Sequence, residues 1–452
     1  MLSYLKNFIK KSDLRILLLI LVFGSVIRFI NLPGNINFHF DQGRDALRIY
    51  NMIFNGDLKL VGPETDIPGV FNGPIFYYLL TPLYLIGNFN PDFVAGAFIL
   101  LNVFGGYLCF LISKILFKDN KIGLISAFLW MISYEQGVFA RYISNASLMS
   151  LSSMVFFLGL SLKLFSKNKF GLIISFIGYG LAIHANFYLI YLGIFYILIY
   201  FAYKPKLNFK EIVTSILALL FLISPFILTE IKWGLPATKA LLAYFTEQSD
   251  HAFNLLSHLK LYTEKMNEMI FYSLLSAPTS LLFLTPLLLI FFIFKKENYN
   301  KQYFFLLIWL FSNAPLFIFR SGVLTVPVIN STIFGAITIL FALGIYHLIK
   351  IDKIKFLGIF LLVLISFSNL FLYVKSGFKP YDLLSAIPSV LVHARSTIDY
   401  TYENSENKEF SICAITNPLF TNTTLSFLYL TYGKPKYGFM PYWSGQKQHL
   451  RR

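Results

Sequence analysis

The sequence predicts an all-α polytopic membrane protein of about eleven transmembrane helices, with interfacial helices in its first exported loop and a small exported α/β appendage at its C-terminus. Three observations carry that expectation. The 452 residues are 56% hydrophobic and only 13% charged, against a charged fraction near ~25% in soluble domains. Apolar runs long enough to cross about 30 Å of hydrocarbon as helix recur almost from end to end, whereas barrel strands would be half that length and alternating. Finally, Lys and Arg cluster at regular intervals between the runs, as cytoplasmic loops require.

The basic clusters set the threading. Lys6, Lys10, Lys11 and Arg15 precede the first apolar run, which lacks a small-residue cleavage site and reads as a retained anchor. Later clusters begin at Lys114, Lys163, Lys204, Lys295 and Lys350. If each lies inside, two spans separate successive clusters. Between the first two lie three apolar runs, 16–32, 74–88 and 93–117, so one of them does not cross. The middle run, "GPIFYYLLTPLYLIG", is short and carries Pro74 and Pro82, and is expected to lie at the outer interface. Further spans are expected over 122–139, 146–165, 170–185, 187–203, 211–229, 271–294, 302–319, 325–349 and 354–374. This places the N-terminus in the cytoplasm and the C-terminus outside, in the cytoplasmic (inner) membrane. The exported loop 230–270 reads as amphipathic interfacial helices, and the segment 376–452 holds a strand-like "EFSICAIT" and a helix-like "NTTLSFLYLTYG". Those last residues are too few to hold a large core alone.

Composition also excludes functions. The net charge of +16 arises from short scattered clusters that suit topology and anionic lipid rather than nucleic acid. Cys109 and Cys413 fall in different environments and do not pair. No phosphate-cradling loop or dinucleotide fingerprint is present, which disfavours a nucleotide-sugar donor on the cytoplasmic side, and no cofactor is expected. His251 and His258, seven residues apart, lack the spacing of helical metal ligands, and no metal is expected.

Ionisable groups at membrane depth are costly enough to be read as functional. Here they gather at outer turns: Glu135 with Arg141, His184, Glu230 and Arg320. The densest group is "FHFDQGRDALRIYNMI", residues 38–53, where Asp41, Arg44, Asp45 and Arg48 fall at i, i+3, i+4 and i+7 and share one helical face. Ion pairs of Asp41 with Arg44 and of Asp45 with Arg48 would hold such a face together.

The order of elements here resembles the membrane glycosyltransferases of the C superfold (GT-C), specifically the family 39 type that includes protein O-mannosyltransferases and lipid A aminoarabinose transferases. "DQGRDA" is similar to that family's D-E-x-R-Y-A motif, and "NGPIFYYLL" to its aromatic interfacial helix. "FARYISNASL" and "GYGLAIHANF" resemble the next two outer turns, so the resemblance spans about 14–200. Gln42 stands where the family has Glu, and Asp45 where it has Tyr. The resemblance implies an inverting enzyme that moves a sugar from a polyprenyl-phosphate carrier to an acceptor hydroxyl of a protein, lipid or glycan at the outer membrane face. Residues 1–375 would form its transmembrane domain, with 33–91 as the catalytic loop. Asp41 is then the expected base, with Asp45 as a second carboxylate that orients acceptor or sugar. Arg44, Arg141, His184 and Arg320 are the candidates for holding substrate or phosphate.

Two other classes share this hydropathy. An O-antigen polymerase or ligase would concentrate Arg and His in a large late loop, and the 230–270 loop keeps that alternative open. A flippase or other transporter of lipid-linked glycans would carry polar residues deep within several spans, which the sequence does not.

Overall fold

The computed structural model describes residues 11–247, 255–274, 300–315, 331–379, 390–406, 408–414 and 422–443. The expected span 271–294, and the parts of 302–319 and 325–349 beyond these limits, lie outside the described residues.

The chain is a helical membrane protein. Helix α1 (Lys11–Phe29) leads into the loop that holds α2 (Phe40–Phe54) and α3 (Ile75–Ile86). Next come α4 (Pro91–Phe117), α5 (Asn120–Ile132), α6 (Tyr134–Ala140), α7 (Leu148–Phe165), α8 (Gly171–Ala185), α9 (Gly193–Tyr203) and α10 (Phe209–Trp233). Then follow α11 (Pro236–Glu247), α12 (Leu255–Leu274), α13 (Asn300–Leu310), α14 (Phe334–Lys350) and α15 (Lys355–Lys375). Among the described residues five helical segments are long and apolar enough to cross a membrane, and six if the bent pair α5 and α6 is one span. Helix α3, at 12 residues, is about 18 Å long and too short to cross. The 230–270 loop carries α11 and α12, two helices as its amphipathic pattern suggests.

One expectation changes. The run 122–139, read as one continuous span, breaks at Ser133 and bends by 65°. Ser133 leaves helical geometry at φ −58°, ψ 122°, and its hydroxyl accepts from the backbone N–H of Gln136 to start α6. A break inside an apolar interior frees backbone carbonyls that need donors. Arg28, fully buried at the end of α1, supplies them: Nη1 donates to Met131 O at 2.6 Å and Nη2 to Trp130 O at 3.0 Å. Its Nε donates to Asn102 Oδ1 at 3.1 Å, and Asn102 in turn donates to Gln136.

The C-terminal residues close the fold at the end where α2 lies. Helix α16 (Leu391–Asn404) is anchored where the backbone N–H groups of Leu391 and Val392 donate to the carbonyls of Ile36 and Gly34. Arg395 reaches Asp92 at 2.7 Å and Asn90 at 2.9 Å, at the start of α4. Strand β1 (Ser411–Ile412) pairs in parallel with β2 (Tyr442–Trp443), and α17 (Thr423–Leu428) and α18 (Lys434–Tyr437) lie between them. Side chains of the 33–91 loop, such as Phe38, Ile49 and Tyr84, share a single apolar core with Leu391, Tyr402 and Phe427. The short tail therefore borrows the core it is too small to build.

Helices α2 and α17 approach closely, through one side-chain hydrogen bond and the backbone at Gly43. The Thr423 hydroxyl donates to Phe40 O at 2.7 Å. A Cβ at Gly43 would lie 2.5 Å from the backbone nitrogen and 2.6 Å from Cα of Thr424, atoms that cannot swing aside. Gly43→Ala should therefore force the two helices apart and destabilise the protein by about 1–3 kcal/mol. Limited proteolysis should show faster cleavage after residue 390 in the variant than in the native chain.

Candidate functional site

Helix α2 opens with a capping arrangement that fixes its angle. Gln42 is buried; its Oε1 accepts from the backbone N–H of His39 at 3.2 Å, and its Nε2 donates to Ile143 O at 3.2 Å. One amide thus starts the helix and ties it to the turn after α6. An ionised Glu at this position could accept but not donate, and would set a carboxylate against a carbonyl. Gln42→Glu is expected to cost about 1–3 kcal/mol at neutral pH, with part of the loss recovered on acidification as the carboxyl gains a proton it can donate to Ile143. Melting curves across pH check this.

The polar face of α2 forms as the spacing suggests, with one pairing changed. Arg44 bridges both carboxylates, with Nη1 2.6 Å from Asp41 Oδ1 and Nε 2.9 Å from Asp45 Oδ1. Asp45 does not pair with Arg48. Instead Tyr77, fully buried on α3, donates its hydroxyl to Asp45 Oδ1 at 3.1 Å and accepts from Arg48 Nη1 at 2.8 Å. Arg44 spans from the partly exposed Asp41 to the buried Asp45, and the Tyr77 hydroxyl bonds both Asp45 and Arg48. Tyr77 belongs to the site, and the α2 sequence alone carries no signal for it. Its membership follows from the packing of α3 on α2.

The two carboxylates differ in setting. The Asp41 side chain is 34% exposed and that of Asp45 only 6%. Burial pushes the Asp45 carboxyl above the ordinary carboxylate range, against the pull of Arg44. Burial likewise pushes the Tyr77 phenol up, aided by the neighbouring Asp45 charge. For Arg44, burial works against the charge, but Asp45 and Asp41 outweigh it and hold the guanidinium protonated. Asp41 is thus the carboxylate that faces outward, oriented by Arg44, while Asp45 is part of the support beneath.

The other sequence candidates are placed elsewhere. Arg141 is buried after α6 with its guanidinium on the last carbonyls of α1: Nε and Nη2 reach Arg28 O at 3.0 and 2.8 Å, and further bonds run to Ile30 O and Asn31 O. It forms no hydrogen bond with Asp41, Arg44 or Asp45. His184 is buried at the end of α8, where its Nε2 bonds Leu222 O at 2.7 Å. Its ring lies flush against Gly73, where a Cβ would sit 1.7 Å from Nδ1, so it sets the level of the Gly73–Pro74 step that leads into α3. Asn72 adds to this anchoring by accepting from the backbone N–H of Phe187 at 2.9 Å. Arg320 and His251 lie outside the described residues. Among the described residues no group of three His, Cys, Asp or Glu side chains could hold a metal ion. Cys109 is buried and Cys413 exposed, and neither is in a disulfide.

No protein-family model matches the chain, and no curated protein matches it by sequence. Solved structures do match. ArnT from Cupriavidus metallidurans bound to undecaprenyl phosphate superposes with a TM-score of 0.61 at 11% identity, over 96% of this chain and 86% of that one. The apo form of the same protein gives 0.59 at 10% identity, over 94% and 89%. The oligosaccharyltransferase of Archaeoglobus fulgidus in its apo form gives 0.55 at 12% identity, over 93% of this chain but only 64% of that one. These neighbours are glycosyltransferases of the GT-C fold, and at such identities the likeness shows that the fold is shared.

Proposed function

We propose that this chain, which has the GT-C fold, is an inverting glycosyltransferase that moves a sugar from a polyprenyl-phosphate carrier to an acceptor hydroxyl at the outer face of the cytoplasmic membrane. Asp41 takes the proton from the attacking hydroxyl. The oxygen of that hydroxyl forms the new bond to the anomeric carbon, while the bond to the carrier phosphate breaks and the phosphate keeps the electron pair. Arg44 aims the Asp41 carboxylate, and Asp45 with Tyr77 fixes Arg44. Arg141 and His184 serve this arrangement through the backbone they hold. The acceptor is a protein, lipid or glycan, the transferred unit a hexose or pentose, and about eleven spans with the N-terminus inside give the site its side of the membrane.

The observation that carries the reading is one outward-facing carboxylate, clamped by an arginine, on the loop helix next to a short apolar interfacial helix, in a chain that shares its fold with a protein solved with undecaprenyl phosphate. The test is transfer in vitro. The purified protein is offered a panel of synthetic polyprenyl-phosphate sugars, and release of free polyprenyl phosphate in the presence of membrane acceptors is expected with at least one. Failure with every donor, by protein that melts cooperatively, counts against the assignment.

A further inference from the structure

A departing phosphate needs a cation, and the guanidiniums of this site are not equally available. Arg44 is committed to Asp41 and Asp45. Arg141 is committed to the carbonyls that end α1. Arg48 is different. Among the described residues it forms one hydrogen bond, from Nη1 to the Tyr77 hydroxyl, and its guanidinium sits 5.9 Å from the centre of the Tyr77 ring. It makes no ion pair among the described residues and is only partly buried. A guanidinium carries five N–H donors, so most of its fork is unspent.

Its position suits a lipid phosphate. Arg48 lies two turns beyond Asp41 on the same helical face. Its partner Tyr77 sits on α3, whose exposed side is apolar: Tyr78, Leu79, Leu85 and Ile86 are 42%, 37%, 51% and 73% exposed, at spacings that put them on one side of the helix. An interfacial helix with such a face offers a bed for a prenyl chain; Tyr77 lies on the buried side, roughly a quarter turn round from Tyr78 and Leu85, so the head of that chain would reach the Arg48 fork over the edge of the helix. Guanidinium matches phosphate oxygens two at a time, which an ammonium cannot.

We propose that Arg48 is the residue that grips the carrier phosphate, with the prenyl chain running along the exposed side of α3. The inference rests on the function proposed above and names the phosphate-binding group within it. Tyr77 holds the fork in place through the ring and the single hydrogen bond, and Arg44 is left to serve Asp41. As the sugar departs, the growing charge on phosphate is met by Arg48.

The experiment measures binding of undecaprenyl phosphate, undecaprenol and inorganic phosphate to the full chain in lipid nanodiscs, for the native protein, Arg48→Met and Arg48→Lys. Arg48→Met is expected to bind undecaprenyl phosphate about tenfold or more weaker, with undecaprenol binding unchanged and Arg48→Lys in between. Inorganic phosphate at equal concentration is expected not to compete, since it lacks the chain. Competition by inorganic phosphate would mark a site for the free ion rather than for the lipid. Equal affinity of native and Arg48→Met protein for undecaprenyl phosphate overturns the assignment, as does an equal loss for undecaprenol, which would reveal a packing role. Should Arg48→Met lack a cooperative melt, Arg48→Lys decides: native affinity in that variant rules out the fork. If the native protein itself does not bind undecaprenyl phosphate, the proposed function falls along with this inference.

Discussion

Asp41→Asn is expected to slow sugar transfer by about 10²- to 10⁴-fold, the range over which a positioned general base acts. Asparagine keeps the shape of the side chain and an oxygen for Arg44 Nη1, now 2.6 Å from Asp41 Oδ1, so the helix and its capping should survive. What is lost is the basic lone pair on the one carboxylate of the pair that faces outward. If Asp41 takes the acceptor proton as proposed, the loss should appear in kcat, while the apparent affinity for the lipid donor stays close to native. Asp45→Asn should behave differently. That carboxylate is buried beneath Arg44 and Tyr77, and its replacement removes support, so the melting temperature falls along with activity. Native rates from Asp41→Asn would move the base to another residue. A matching fall in melting temperature for both variants would make Asp41 a structural partner of Arg44 only.

The second large effect concerns the two buried arginines. Arg28 closes the open end of α5, while Arg141 closes the open end of α1. Each guanidinium sits where a helix stops short in an apolar interior, and neither pairs with a carboxylate among the described residues. Removing either leaves several carbonyls without donors, each worth about 1–3 kcal/mol when buried. Arg28→Met is therefore expected to destabilise the protein by roughly 3–5 kcal/mol, in the range seen when a buried charge network is broken. Arg28→Lys should recover only part, since an ammonium cannot reach Met131, Trp130 and Asn102 together as the fork does. Thermal melts in detergent check both. A native melting temperature for Arg28→Met would mean that the 65° bend is held without it.

Those arginines also explain what the sequence could and could not reveal. The long apolar helices were legible because a run of about 20 apolar residues has few alternatives, and α3 because its run is short and carries proline. The break at Ser133 was not. No glycine or proline marks "WMISYEQ", and the Arg28 donors that satisfy the freed carbonyls come from more than a hundred positions earlier. Asp41 and Arg44 were legible because helical spacing puts them together. Arg48 and Asp45 looked equally paired by that rule, and only the arrival of Tyr77 from α3 parts them. Arg141 stood out in the sequence because charge at membrane depth is expensive, and the same cost is met by satisfying backbone carbonyls as well as by binding a ligand. Gln42 looked like a lapse from the family motif. Its bond to Ile143 shows an amide used at both ends.

The shared core of the 33–91 loop and the C-terminal residues has a consequence for how this protein is made. The helix carrying Asp41 leaves the ribosome long before its packing partner, Thr423–Leu428, which lies far downstream in the chain. Until then the backbone of Thr423 and Thr424 that packs on Gly43 is missing. A chain that stops short of residue 423 could thread the helices before it into the bilayer and still leave α2 without that partner, so the surroundings of the acidic helix are finished only after a segment far downstream has been made.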